Sequence, residues 1–136
     1  MKREHSDPPR ILIIDDDEFV SLLYKVELEE EGYGVTVASR ARKGLELIAS
    51  DPPNIVVLDL KMPDMDGVDA LQKIAGIEPS IPVIINSAYS HLKDNFHTCS
   101  PVSYVTKSSD LTELKQKIRE VLDLFPETSA AQQAAG

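Results

Sequence analysis

Ile55-Val56-Val57-Leu58-Asp59-Leu60 is an apolar run that carries a carboxylate at its end. A strand with one wet face alternates apolar and polar residues. Consecutive apolar residues are instead what a strand shows when both faces of its sheet are covered. A buried carboxylate without compensation is costly, so Asp59 calls for partners from elsewhere in the chain. Reading outward, similar runs occur at Ile11–Ile14, Val83–Ile85 and Val102–Val105, the last broken by Ser103 and Tyr104, with a weaker one at Val35–Ala38.

Helical patterns lie between these runs. From Glu18 to Glu31 the apolar stripe reads Phe19, Leu22, Leu23, Val26 and Leu28, with Glu27, Glu29, Glu30 and Glu31 opposite and Gly32 as the stop. From Ala41 to Ser50 it reads Ala41, Leu45, Ile48 and Ala49, with Ser39 as the expected cap and Pro52-Pro53 as the terminator. A shorter helix is expected at Val68–Ile74, capped by Asp66, and a short, poorly patterned one at Tyr89–Phe96. The clearest helix has Leu111, Leu114, Ile118, Val121, Leu122 and Phe125 at spacings near one helical turn. Asp110 and Glu113 have the form of a capping box at its start. The order is β-α five times. Crossovers of this length imply an α/β, doubly wound fold with a parallel sheet between two helical layers.

In such sheets the site lies at the carboxyl ends of the strands. Asp15-Asp16-Asp17-Glu18 follows the first run, Asp59 ends the third, Asn86-Ser87 follows the fourth and Lys107 follows the fifth. Carboxylates brought together repel and raise one another's pKa, which a divalent cation relieves. Magnesium takes oxygen ligands and keeps several waters. A carboxylate beside such an ion can act as a nucleophile and form an acyl phosphate. Ser87 can donate a hydrogen bond to a phosphoryl oxygen, and Lys107 can neutralise another. Blander duties exist for some of these residues. Asp17 and Glu18 suit a helix N-terminus, Ser87 suits a helix cap, and Lys107 could be an ordinary surface lysine. Asp15 and Asp59 are poorly explained by capping.

Composition narrows the classes. The chain has 136 residues and a formal net charge of -9, which disfavours a direct nucleic-acid partner. No stretch approaches a membrane span, and Met1 to Arg10 has no apolar signal core, so a cytoplasmic location is expected. The single cysteine, Cys99, excludes an internal disulfide. His91, His97 and Cys99 lie close in sequence, but their spacing fits no zinc site and a fourth ligand is missing. Residues 1–9 are expected to be a flexible N-terminal segment, 10–125 one domain, and 126–136 an Ala-rich flexible tail or linker.

Four segments carry a family pattern: Ile11-Leu12-Ile13-Ile14-Asp15-Asp16-Asp17, Val57-Leu58-Asp59-Leu60-Lys61-Met62-Pro63-Asp64-Met65-Asp66-Gly67, Val83-Ile84-Ile85-Asn86-Ser87-Ala88-Tyr89 and Tyr104-Val105-Thr106-Lys107. In order and spacing they resemble the receiver domain of two-component response regulators, with the CheY-like, flavodoxin-like fold and strand order 2-1-3-4-5. The resemblance covers about residues 10–124. It implies phosphoryl transfer onto Asp59 from a phosphohistidine on a sensor histidine kinase or a histidine phosphotransfer protein. It implies magnesium, or manganese in its place, held by Asp15, Asp16, Asp59 and the backbone carbonyl of Lys61. Ser87 and Lys107 would contact the phosphoryl oxygens. Tyr104 would turn inward as Ser87 moves, changing the affinity of the face around the fourth helix, the fifth strand and the fifth helix for a downstream protein or a C-terminal output domain.

Three departures from the family pattern stand out. Ser108 follows Lys107 where the family usually has proline, and a cis bond before a non-proline costs about 2.5–4 kcal/mol. The stretch from Ala88 to Val102 is slightly short and ends in Ser100-Pro101. Lys61 and Tyr89 occupy variable positions that in the family control water access, and a bulky Tyr89 is expected to slow hydrolysis of the phosphoaspartate. Such a domain is a switch that phosphorylates and dephosphorylates itself, not a metabolic enzyme. Two other classes compete. A magnesium-dependent aspartyl-phosphate phosphohydrolase would want an acid where Lys61 stands, and a cap segment. A receiver that binds proteins without being phosphorylated would not need the full set of competent residues found here.

Overall fold

The computed structural model describes residues 8–88 and 102–124. The element order is β1 (Arg10–Ile14), α1 (Glu18–Glu30), β2 (Gly34–Ala38), α2 (Ala41–Ser50), β3 (Ile55–Leu58), α3 (Gly67–Ile77), β4 (Val83–Ser87), β5 (Val102–Thr106) and α4 (Thr112–Leu124). The helix expected at Tyr89–Phe96 lies outside the described residues, as do Phe125 and the expected terminal segments, apart from Pro8 and Pro9. The strands form one parallel sheet in the order β2-β1-β3-β4-β5.

The continuous apolar runs have the cause inferred for them. Every residue of β3 is buried, as are Ile11–Ile14 of β1. One layer of core joins Leu12, Ile14, Val56, Leu58, Val83 and Ile85 to α2 and α3 through Ala41, Ile48, Ala70 and Ile74. The other joins Ile11, Ile13, Ile55, Val57 and Ile84 to α1 and α4 through Tyr24, Leu28, Leu114 and Ile118. Alternate residues of each strand point to opposite faces, so a single strand supplies both layers.

The helix phases and caps correct several expectations. In α1 the buried residues are Ser21, Tyr24 and Leu28, whereas Phe19, Leu22 and Val26 are 77 %, 60 % and 47 % exposed. Apolar counting missed this phase because two of the inward residues are polar and bonded. Ser21 Oγ donates to the carbonyl of Asp15, and the Tyr24 hydroxyl donates to Asn86. In α2 Gly44 takes an inward position and Ala49 faces solvent. Ser39 does not cap α2; the carboxylate of Asp64, from the loop after β3, accepts from the backbone N–H groups of Ala41 and Arg42, each at 3.0 Å. The capping box at α4 is not formed reciprocally. The N–H of Asp110 donates to Ser108 Oγ at 3.0 Å, while Asp110 Oδ1 accepts from the N–H of Thr112 at 2.9 Å. Asp66 caps α3 as expected, through Val68 N–H at 2.7 Å, and the helix runs on to Ile77.

Two glycines are explained by their surroundings. Gly32 has φ +102°, the left-handed turn that ends α1. At Gly67 a Cβ would lie 2.8 Å from the Cα of Leu60 and 2.9 Å from its carbonyl oxygen, so no larger residue fits against the loop carrying Asp59.

Candidate functional site

Strand endings deliver the acids. The backbone N–H of Asp15 donates to Ala38 and that of Asp59 to Ile14, at 3.1 and 2.9 Å. Both residues thus continue the ladder one step past β1 and β3. Asp15 and Asp59 are 3 % and 6 % exposed, while Asp16 faces solvent. One carboxylate oxygen from each of Asp15, Asp16 and Asp59 lies within 4.8 Å of the others. Asp17 does not join them. Its side chain caps α1 by accepting from Val20 N–H at 3.1 Å, and Glu18 sits in the first turn, which is the helix-terminus duty that an acid there can serve.

Lys107 meets the cluster from beyond β5. Its ammonium lies 2.9 Å from Asp15 Oδ2 and 3.3 Å from Asp59 Oδ2. Its backbone N–H donates to the carbonyl of Ser87 at 2.7 Å, which fixes the end of β5 against the end of β4. Ser87 is fully buried as the last residue of β4 rather than following the strand. The loop after β3 is tied to the acid it follows. Lys61 N–H donates to Asp59 Oδ1 at 3.2 Å, and Lys61 bridges to Asp66 in antiparallel fashion. Tyr104, half-buried, faces Ile85 across the β4–β5 pair and packs against the core layer of α2 and α3. Tyr89, His91, His97 and Cys99 lie outside the described residues.

The electrostatics are unbalanced. Asp15 and Asp59 share the ammonium of Lys107, and Asp16 lies beside them, so these three carboxylates outnumber that ammonium. Burial pushes the Asp59 carboxyl above its ordinary value. The N–H of Lys61 and the charge of Lys107 oppose this, and the neighbouring Asp15 reinforces it. Burial works against the charged form of Lys107, but its bonds to Asp15 and the charge of Asp59 outweigh it, so its pKa is raised and the ammonium persists. An all-oxygen donor set with this excess fits a hard divalent cation, and no nitrogen or sulfur ligand is needed. The arrangement therefore offers an acid cluster with the oxygen donors a metal ion takes, a buried carboxylate of raised basicity with an ammonium against it, and Ser87 at the neighbouring strand end.

Asp15, Asp16, Asp59, Ser87 and Lys107 are expected at strand ends; Asp15, Asp16, Asp59 and Lys107 come together there, and Ser87 ends β4 with its carbonyl bonded to the backbone N–H of Lys107. Sequence reading missed Asp64 and Tyr24. Ser39 stood in the sequence as a ready cap for α2, so nothing local pointed to Asp64; a tyrosine among the apolar residues of the first helix was the one signal for Tyr24. Ser108 supplies the side-chain contact to Asp110 that proline could not.

Comparison with known proteins agrees with this geometry. A family model described as the response regulator receiver domain matches residues 11–119. Sporulation initiation phosphotransferase F of Bacillus subtilis is 29% identical over 117 residues, covering 85% of this chain and 94% of its own length. Regulatory protein AtoC of Escherichia coli is 33% identical over 117 residues, covering 85% of this chain but 25% of AtoC. Against the transcriptional regulatory protein TcrX of Mycobacterium tuberculosis the chain likewise spans 53% of the relative's length. The crystal structure of TrrA from Thermotoga maritima, in complex with Mg(2+)-BeF, superposes with a TM-score of 0.78 at 32% identity, covering 84% of this chain and 99% of that one.

Proposed function

This chain belongs to the response regulator receiver domain family, and from that premise we propose that Asp59 is the phosphoryl acceptor of a two-component switch. The observation that carries the reading is a buried carboxylate grouped with Asp15 and Asp16 and lying 3.3 Å from the ammonium of Lys107. Asp15, Asp16, Asp59 and the backbone carbonyl of Lys61 are the ligands assigned to magnesium. Bound there, the ion would polarise the phosphoryl oxygens and neutralise the excess charge. One Asp59 oxygen attacks phosphorus, the P–N bond of the donor's phosphohistidine breaks, and the imidazole leaves with the electron pair. Lys107 then exchanges a carboxylate contact for a phosphoryl oxygen, and Ser87 donates to another. Tyr104 sits beside Ile85, two positions before Ser87, where movement of the β4 end reaches its ring.

The donor is a sensor histidine kinase or histidine phosphotransfer protein. Phe19, Leu22 and Val26 form an outward apolar face on α1, which starts directly after the acids. Exposed apolar clusters mark protein contact sites, and this one suits a donor that must bring its histidine to Asp59. The output is a downstream protein or a C-terminal domain, as the partial coverage of several relatives suggests. The domain is assigned to residues 10–125, in the cytoplasm. No helix among the described residues is long and apolar enough to cross a membrane.

Incubation with magnesium and a small acyl phosphate tests this reading. A lasting adduct supports the switch. Turnover of phosphomonoesters would support a phosphohydrolase, and no reaction would support a binding-only receiver. Replacing Phe19 or Leu22 by Glu should slow transfer from a protein donor and leave uptake from the small acyl phosphate unchanged.

A further inference from the structure

Below the acids the core holds a polar connection that phosphoryl uptake does not itself use. Tyr24, 2 % exposed, lies in the layer formed with Ile13, Val57, Ile84 and Val105. Its hydroxyl donates to Asn86 Oδ1 at 2.8 Å, and Asn86 Nδ2 donates to the carbonyl of Val105 at 3.1 Å. Asn86 is also 2 % exposed. Burial pushes the Tyr24 phenol above its ordinary value, so it stays a donor. Lys107 opposes that shift and Asp15 adds to it.

Apolar residues would fill this space without desolvating a hydroxyl and an amide. The value of the pair lies in what it locates. Asn86 immediately precedes Ser87, and Val105 lies two residues before Lys107. Asn86 faces Val105 in the strand register, and Ser87 faces Thr106. β5 is an edge strand, held by β4 on one side only, so a side-chain bond to its backbone adds a restraint where the ladder ends. Tyr24 anchors that restraint in α1, the helix that starts beside Asp15 and Asp16. The connection thus spans the acid half of the site and the hydroxyl-and-amine half.

We propose that Tyr24 and Asn86 are positioning residues that hold Ser87 and Lys107 at a fixed distance from Asp59, and so set the rate of phosphoryl uptake without touching the phosphoryl group. This rests on the receiver function proposed above. Buried, hydrogen-bonded polar connections of this kind fix geometry more than they add stability, and misplacement of a catalytic constellation by about 1 Å can slow a reaction on the order of a hundredfold.

Tyr24→Phe keeps the ring and removes the hydroxyl. With magnesium and a small acyl phosphate, it should lower the maximal uptake rate about tenfold while the half-saturating donor and magnesium concentrations change little. The backbone amide resonance of Lys107 should shift in the metal-free protein. Asn86→Leu should give a similar loss, and the double variant no further loss, because one connection is cut in each case. If Asn86→Leu does not fold, Tyr24→Phe carries the test by itself. A lowered thermal midpoint with unchanged maximal rate and an unmoved Lys107 amide would reduce the pair to a packing role and overturn the proposal. A wild-type protein that takes up no phosphoryl group would count against the receiver function instead, and the Lys107 amide would still decide whether Tyr24 positions it.

Discussion

The two ends of the sheet handle charge in opposite ways. At the amino end, Arg10 is matched group by group. Its guanidinium meets Asp51 Oδ2 at 2.8 Å and the carbonyl of Pro52, and its backbone N–H donates to Asn54 Oδ1 at 2.7 Å. Asp51 is exposed, so water shares the load. At the carboxyl end, Asp15 and Asp59 are buried with Asp16 beside them, and Lys107 pairs with the two buried acids. Balanced, wet charge pins a loop. Crowded, buried charge is the setting proposed for a cation and a phosphoryl group, at a cost in stability that the rest of the core carries.

The largest effect expected from breaking this contrast is loss of function at the carboxyl end. Asp59→Asn should abolish phosphoryl uptake, seen as the absence of the mass increment after exposure to a small acyl phosphate with magnesium. The same change should raise the thermal midpoint of the metal-free protein, because it removes a carboxylate that burial disfavours. The pH dependence has a definite sign. The folded-state pKa of Asp59 is raised, so the folded protein binds this proton more tightly than the unfolded chain. Its contribution therefore lowers stability as pH climbs from the unfolded-state pKa through the higher folded one, and the deficit persists above. Urea melts of the metal-free protein across that window should show the fall in wild type and a weaker one in Asp59→Asn.

Removing the Lys107 ammonium should be nearly as disruptive. Lys107→Ala leaves Asp15 and Asp59 buried without their counterion and should cost about 3 kcal/mol in the metal-free protein, read from the urea midpoint. Magnesium should restore part of that loss. In wild type, magnesium at about 100 times its dissociation constant should add about 2.7 kcal/mol, and Asp15→Asn should remove most of this gain. At the other end of the sheet, Arg10→Ala should cost about 1 kcal/mol or less, because its ion pair is exposed, and should leave phosphoryl uptake unchanged.

The sequence made the contrast only partly visible. The sheet was legible because Ile55–Leu58 and Ile11–Ile14 are apolar without alternation, and both prove buried on two faces. The acids were legible because each sits at the end of such a run. The phase of α1 was not legible, because Ser21 and Tyr24 look polar until their partners in the fold are known. Nor was the cap of α2, since Asp64 lies 23 residues from Ala41 in sequence and reaches it through the fold. Local pattern reveals burial that depends on a residue's own chemistry. It does not reveal burial made tolerable by a partner far along the chain.

Borohydride trapping after reaction with a small acyl phosphate and magnesium tests the central claim most directly, since it reduces an acyl phosphate to an alcohol at the residue that carried it. Peptide mass mapping should place homoserine at position 59 and at no other aspartate. Homoserine at Asp15, Asp16 or Asp64, or its absence from a protein shown to be folded and magnesium-bound, would contradict the assignment of Asp59.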